Sequence, residues 1–333
     1  MTSICKYYYV THISNRYFKY TRSIESFQND DLFEYLNMTT DKFIDFLQKI
    51  QNTQTLTKIL YNRDDFQDMN KIIKMSDCLS PMIKIFCFGF SDWWVNQNLN
   101  ISDPHTYFYI TNAFYYSRIR YIVCTDYKTL GFFLNKNLEE YQTNIISWDV
   151  HNCYDNCFVN LNYNPINKIL VSGDTWQYGY PDRYKLLNFN NVCQKIRAND
   201  MWSNETAYST YLNQYICCFG TSHYPYSHTT EKQEYSGLIL LKTYEILGSG
   251  ALLLSPLTDK PILEKIGLIE DVNCMFIDMT NDVKIQDKID FILNEKNRDF
   301  INNVRQHGQN HGKENLNSKK KYKMLKELII NSE

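Results

Sequence analysis

The sequence predicts an α/β protein in which two parallel-sheet units, each Rossmann-like, face a cleft. Three observations point to it: uninterrupted apolar runs of strand length, helical stretches set between them, and one polar stretch without period near the middle. Met82–Phe90 (MIKIFCFGF) and Arg120–Thr125 (RYIVCT) are runs of this kind. A strand that is apolar on both faces belongs in a parallel sheet covered by helices on each side. Strand, helix, strand in series is the pattern of βαβ units.

Taken in order, Cys5–Ile13 is an aromatic, β-branched first strand. Thr40–Gln51 opens on a capping residue and sets Phe43, Phe46, Leu47 and Ile50 on one face, so it is an amphipathic helix. Strands follow at Met82–Phe90, Arg120–Thr125 and Asn144–Trp148, with a helical stretch at Tyr127–Asn135. From Trp148 to Pro165 (WDVHNCYDNCFVNLNYNP) the period fails, which marks a linker and hinge. A second series then begins with strand Lys168–Ser172, ending in Gly173, and helix Ala207–Asn213. It continues with strand Tyr215–Phe219, helix Leu238–Leu247, and strands Ala251–Ser255 and Asn273–Asp278. Lys284–Asn294, Glu295–His307 and the amphipathic Lys319–Ile330 close the chain as helices. The expected division is residues 1–160, 161–317 and a terminal helical segment 318–333.

A chain of 333 residues, 44% of them apolar, has material for two such cores. Its 35 basic and 37 acidic residues nearly cancel, so no global field attracts nucleic acid or an anionic membrane. No stretch is apolar for long enough to span a bilayer. With no secretory signal in MTSICKYYYVTH, the ten cysteines suggest a reducing, cytoplasmic setting. Cys217 and Cys218 are adjacent, and Cys153 and Cys157 have metal-like spacing but no second pair, so all read as structural thiols. Abundant Asn, Ile, Lys and Tyr suit an AT-rich genome, such as that of a large virus or a protist.

The chemistry concentrates in Glu234–Pro256 (EYSGLILLKTYEILGSGALLLSP). Ser236 and Gly237 stand where a helix should begin, and backbone N–H groups at a helix start bind anions. Glu245 follows eight residues after Gly237, roughly 12 Å along a helix, comparable to the span from a diphosphate to a ribose. A carboxylate accepts two hydroxyl hydrogen bonds, as a ribose diol requires. Lys242, one turn earlier, can face the phosphates. The plainer alternative is a helix-to-strand turn with a capping glutamate.

Lys242–Pro256 (KTYEILGSGALLLSP) resembles the signature of GT-B glycosyltransferases, in the branch related to spore-maturation proteins. Gly267–Asp278, Asp287–Gly308 and Lys168–Leu186 (KILVSGDTWQYGYPDRYKL) resemble its neighbouring segments, so the likeness covers about residues 145–325. It implies a nucleotide-sugar donor, with UDP favoured, held by Gly173, Arg183, Ser236, Gly237, Lys242 and Glu245. It implies no metal, because helix dipole and basic side chains offset the leaving diphosphate. The chain departs from the pattern at Gly237, where retaining members carry a second Glu, and near Asn317, where a His is common. The acceptor, a glycan or protein hydroxyl, would meet the N-terminal half. Candidate bases are Asp92, flanked by Trp93 and Trp94, and His151 in the hinge, with His12, His105 and Asp126 behind them. A catalytically silent protein of this fold and a nucleotide-sugar epimerase are the competing readings.

Overall fold

The computed structural model describes residues 5–11, 26–62, 71–72, 75–76, 78–90, 119–123, 139–148, 152–173, 175, 180–195, 204–221 and 239–332. The chain divides into two compact units, Met1–Val150 with Tyr322–Glu333, and His151–Lys321.

In the first unit, β1 (Lys6–Thr11), β2 (Glu34–Asn37), β3 (Thr57–Asn62), β4 (Ile83–Phe90), β5 (Ile119–Val123) and β6 (Ile145–Ser147) form one sheet. Its order is β2-β1-β3-β4-β5-β6, and every neighbouring pair is parallel. Side chains alternate across a strand, so each strand feeds two cores. Tyr8, Val10, Ile59, Tyr61, Ile83 and Ile85 face one core, which α1 (Thr40–Ile50) covers with Phe43 and Leu47. Thr39 caps that helix by accepting from the Lys42 N–H at 3.4 Å. Tyr9, Leu60, Phe86 and Ile122 face the other core, together with Phe27 and Trp148.

In the second unit, β7 (Ile166–Ser172), β8 (Val192–Lys195), β9 (Tyr215–Phe219), β10 (Leu252–Pro256) and β11 (Met275–Ile277) pair in parallel, in the order β11-β10-β9-β7-β8. Helices α2 (Pro181–Leu186), α3 (Glu205–Asn213), α4 (Leu241–Ser249), α5 (Lys260–Glu264), α6 (Asp282–Leu293) and α7 (Arg298–Asn315) belong to the same unit. Leu170, Cys218, Leu253 and Phe276 pack with α3 and α4 on one face. Ile169, Val171, Cys217, Phe219, Leu252 and Leu254 pack with α6 and α7 on the other.

The last helix, α8 (Ser318–Asn331), enters the first unit at Tyr322. Leu325 and Ile329 are fully buried among Tyr9, Phe27, Leu60, Phe86 and Trp148, and Tyr322 meets Phe27 edge-on at 4.8 Å. Leu328, which recurs at helical spacing with Tyr322, Leu325 and Ile329, is 41% exposed. Lys58 of β3 is buried, and its ammonium donates to the carbonyls of Ile329 (3.1 Å), Ile330 (2.8 Å) and Ser332 (2.6 Å). It thereby caps the C-terminus of α8.

Two readings need correction. The Trp148–Pro165 stretch is not simply a hinge, because Cys153, Tyr154 and Cys157 are buried in the second unit's core. Helix α7 runs past His307 to Asn315 through two glycines. Gly308 is needed there for close packing, since a Cβ would lie 2.6 Å from the Asn273 carbonyl oxygen.

Candidate functional site

The ends of the second unit's strands bring four expected residues together. Strand β7 ends at Ser172, and Gly173 follows at φ +104°, a conformation that favours glycine. The chain then reaches α2, where Arg183 is buried with its guanidinium 4.2 Å above the Tyr180 ring. A Cβ on Gly173 would stand 3.4 Å from Arg183 Nη1, so these two residues adjoin.

Helix α4 contributes the remaining pair. It leads into β10, so its N-terminus lies at the carboxyl edge of the parallel sheet, the same edge as Gly173. Lys242 Nζ lies 3.2 Å from Glu245 Oε2, and the side chains are only 14% and 3% exposed. The ammonium also hydrogen-bonds the Tyr208 hydroxyl and sits 4.4 Å from that ring's centroid. Tyr208 is anchored in turn to Ser172 Oγ at 2.7 Å. Tyr154 donates to Glu245 Oε1 at 3.3 Å, from the segment expected to be hinge.

Burial alone would lower the Lys242 pKa. Glu245 and Tyr208 outweigh it, and the value is raised above 10.5 although Arg183 pulls the other way. Lys242 is therefore a firmly held cation with a second cation close by. Such a pair suits a polyanion.

The far end of α4 is equally fixed. Gly250 takes the left-handed conformation at φ 76° and closes the helix on Leu247 O. Arg305 Nε donates to Gly250 O at 2.9 Å, and Gln309 Nε2 to Gly248 O at 3.0 Å. Gly248 lies directly against Cys157.

Gly173 thus adjoins Arg183, Lys242 adjoins Glu245, and Arg183 lies within electrostatic reach of Lys242. Asp92, His151, Ser236 and Gly237 lie outside the described residues, as do His12, His105 and Asp126. The helix starts at Leu241 with Leu240 as its N-cap, so its first turn is not at Ser236-Gly237. Glu245 accordingly sits about one turn inside the helix, not eight residues beyond its start. Tyr208, Tyr154 and Ser172 were not foreseen, because only the tertiary fold brings them to Lys242 and Glu245. Among the described residues no group of three or more His, Cys, Asp or Glu could hold a metal ion. No described helix is long and apolar enough to cross a membrane.

Known structures share this architecture over nearly the whole chain. A glycosyltransferase from Rickettsia africae ESF-5 superposes with a TM-score of 0.53 at 7% identity, covering 98% of this chain and 100% of its own. The fold is that of GT-B glycosyltransferases. An alpha-glucosyltransferase in complex with UDP-glucose and DNA containing an abasic site gives 0.58 at 9% identity, covering 98% and 99%. Anabaena HepE in complex with UDP gives 0.57 at 7% identity, also covering 98% and 99%. No protein-family model matches the sequence, and neither does any curated protein. At such identities the GT-B likeness speaks for the fold alone.

Proposed function

We propose that this chain transfers a sugar from a nucleoside-diphosphate donor, UDP-linked by preference, to a hydroxyl of a glycan or protein. One observation carries the reading: Arg183, Lys242 and Glu245 gather beside Gly173 at the carboxyl edge of the second sheet. Ligands of open α/β sheets bind at that edge. Two cations there would offset the charge that develops on the leaving diphosphate, without need of a metal. Glu245 would accept the ribose hydroxyls, and Ser236-Gly237 would approach the phosphates. The preference for UDP draws on the similar structures that hold UDP or UDP-glucose. The first unit would receive the acceptor, with Asp92 or His151 as the base. One similar structure is a complex with DNA; for this chain a DNA acceptor is disfavoured by the net charge of −2. We place the reaction in the cytoplasm.

A thermal-shift panel of uridine, guanosine, thymidine and cytidine diphosphates tests the reading. A ligand at 100 times its Kd stabilises by about 2.7 kcal/mol, so UDP should raise Tm by several degrees. If none of the four shifts Tm, the donor site is refuted. If UDP binds but UDP-sugars are neither hydrolysed nor transferred, the silent-protein reading takes its place. Turnover that a chelator abolishes and manganese restores would overturn the metal-free scheme.

A further inference from the structure

The two side chains assigned above to phosphate and ribose already hold each other. Glu245 is 2% exposed, with Lys242 on one carboxylate oxygen at 3.2 Å and the Tyr154 hydroxyl on the other at 3.3 Å. A carboxylate so deeply buried requires a compensating charge, and Lys242 supplies it. A nucleotide that uses both residues therefore meets them as an ion pair and competes with each for the other. Resting on the glycosyltransferase reading, we propose that donor binding exchanges the Lys242–Glu245 ion pair for Lys242–diphosphate and Glu245–ribose contacts, with Tyr208 as the positioning residue that retains the ammonium throughout.

Tyr208 suits that part better than any other neighbour of Lys242. Its ring is fully buried in α3, and its hydroxyl is tied to Ser172 at the end of β7, so two separate elements fix it. An ammonium has three N–H donors and no acceptor, so the Tyr208 oxygen accepts from it. The ring also presents its face to the same charge at 4.4 Å. Both contacts are to a neutral group, so an arriving diphosphate does not compete for Tyr208 as it does for Glu245. When the ion pair opens, the ammonium keeps its hydroxyl and ring, and the N–H released by Glu245 turns to phosphate. Glu245, losing a cation, gains neutral hydroxyl donors. Arg183 nearby adds the second positive charge against the diphosphate.

The exchange separates the responses of the two halves of the ligand. In Glu245→Gln the diphosphate no longer has a competitor for Lys242, while the ribose loses a charged acceptor. Inorganic pyrophosphate should then bind more tightly, and uridine about tenfold more weakly, the effect of one hydrogen bond to a charged group. Tyr208→Phe keeps the ring and removes only the hydroxyl. Pyrophosphate should weaken about tenfold on the same scale, and uridine should be unchanged.

A pH profile distinguishes positioning from a packing role. The groups facing the ammonium are Glu245 on its own helix, Tyr208 from α3, Arg183 from α2 and Cys218 from β9. Burial lowers its pKa, and Glu245 and Tyr208 raise it to a net value above 10.5. Removing the Tyr208 hydroxyl takes away one raising partner. The alkaline loss of pyrophosphate binding should therefore begin at lower pH in Tyr208→Phe than in the parent.

Titration of the full chain and both variants with UDP, pyrophosphate and uridine, by calorimetry and NMR, decides the matter. Pyrophosphate tightened and uridine weakened in Glu245→Gln is the expected result. If the parent binds UDP but Glu245→Gln weakens both probes alike, or neither, the exchange is wrong while the donor reading stands. Unaltered pyrophosphate affinity and pH limb in Tyr208→Phe remove Tyr208 from the role. A parent that binds neither UDP nor pyrophosphate overturns the donor reading and the exchange together.

Discussion

Gly248→Ala is a sharp test of how helix α4 is seated. Alanine is the better helix former by about 1 kcal/mol, so on propensity the change should stabilise. The structure reverses that expectation. A Cβ at Gly248 would overlap Cys157 Sγ and stand 3.0 Å from Cys157 Cβ and 3.5 Å from its carbonyl oxygen. Cys157 is fully buried and belongs to the core that α3 and α4 share, so it has little room to give. Overpacking a tight core by one methyl costs about 1–3 kcal/mol, and an overlap with sulfur belongs at the upper end of that range. After the propensity gain, Gly248→Ala should lose about 2 kcal/mol, or roughly 4–8 °C in Tm for a unit of this size. Cys157→Ala removes the sulfur and costs about 1 kcal/mol by itself. The double variant should recover at least 1 kcal/mol relative to the sum of the singles.

Urea denaturation of the four proteins measures that coupling directly. Because α4 carries Lys242 and Glu245, UDP affinity should fall in Gly248→Ala and return in the double variant. A Gly248→Ala protein as stable as its parent, or a strictly additive double variant, would refute the close approach.

Two further substitutions test the parts that hold the frame. Arg305 is 1% exposed, burial pushes its pKa down to about 10, and its fork reaches Gly250 O at 2.9 Å, Asn302 Oδ1 at 2.8 Å and Asn213 Oδ1 at 3.4 Å. Arg305→Lys keeps the charge but not the fork, so a loss of about 3 kcal/mol is expected, and a chemical melt equal to the parent's would dismiss the geometry. Lys58→Met leaves the last carbonyls of α8 without their ammonium; about 2 kcal/mol of stability should go, and amide exchange in 322–331 should quicken, while truncation after Asn317, which removes α8 altogether, should lower Tm. Amide exchange unchanged in Lys58→Met would mean that the lysine is not the cap.

The parallel sheets were legible wherever burial was total. Strand β9 has five buried residues in a row and is read to its last residue, and β10 is displaced by one. Three strands that carry polar residues escaped. Strand β2 (EYLN) is half exposed. Strand β3 (TKILYN) contains Lys58, which a hydropathy pattern takes for surface although it is buried as the cap of a helix far along the chain. Strand β8 (VCQK) lies at the sheet edge and is short. In each case the missing information is a partner, and partners are set by tertiary structure.

The site divides along the same physical line. Lys242 and Glu245 share one helical turn, so their spacing alone makes them neighbours. Gly173 and Arg183 follow one strand end and could be found from the strand-loop pattern. Tyr208 and Tyr154 had no such signal, being tyrosines in a chain that has 27. Their importance lies in where α3 and the 152–158 segment set their hydroxyls: against the one buried cation and the one buried carboxylate of α4. A buried charge is costly unless every lone pair and proton near it is answered. That requirement accounts for both tyrosines at once. The helix starts at Leu241, which puts Glu245 in its second turn rather than eight residues from its start, and Lys242 and Glu245 hold each other as an ion pair. That ion pair makes the proposed phosphate and ribose contacts one coupled pair rather than two independent ligands. It is this coupling that makes pyrophosphate and uridine respond in opposite directions when Glu245 loses its charge.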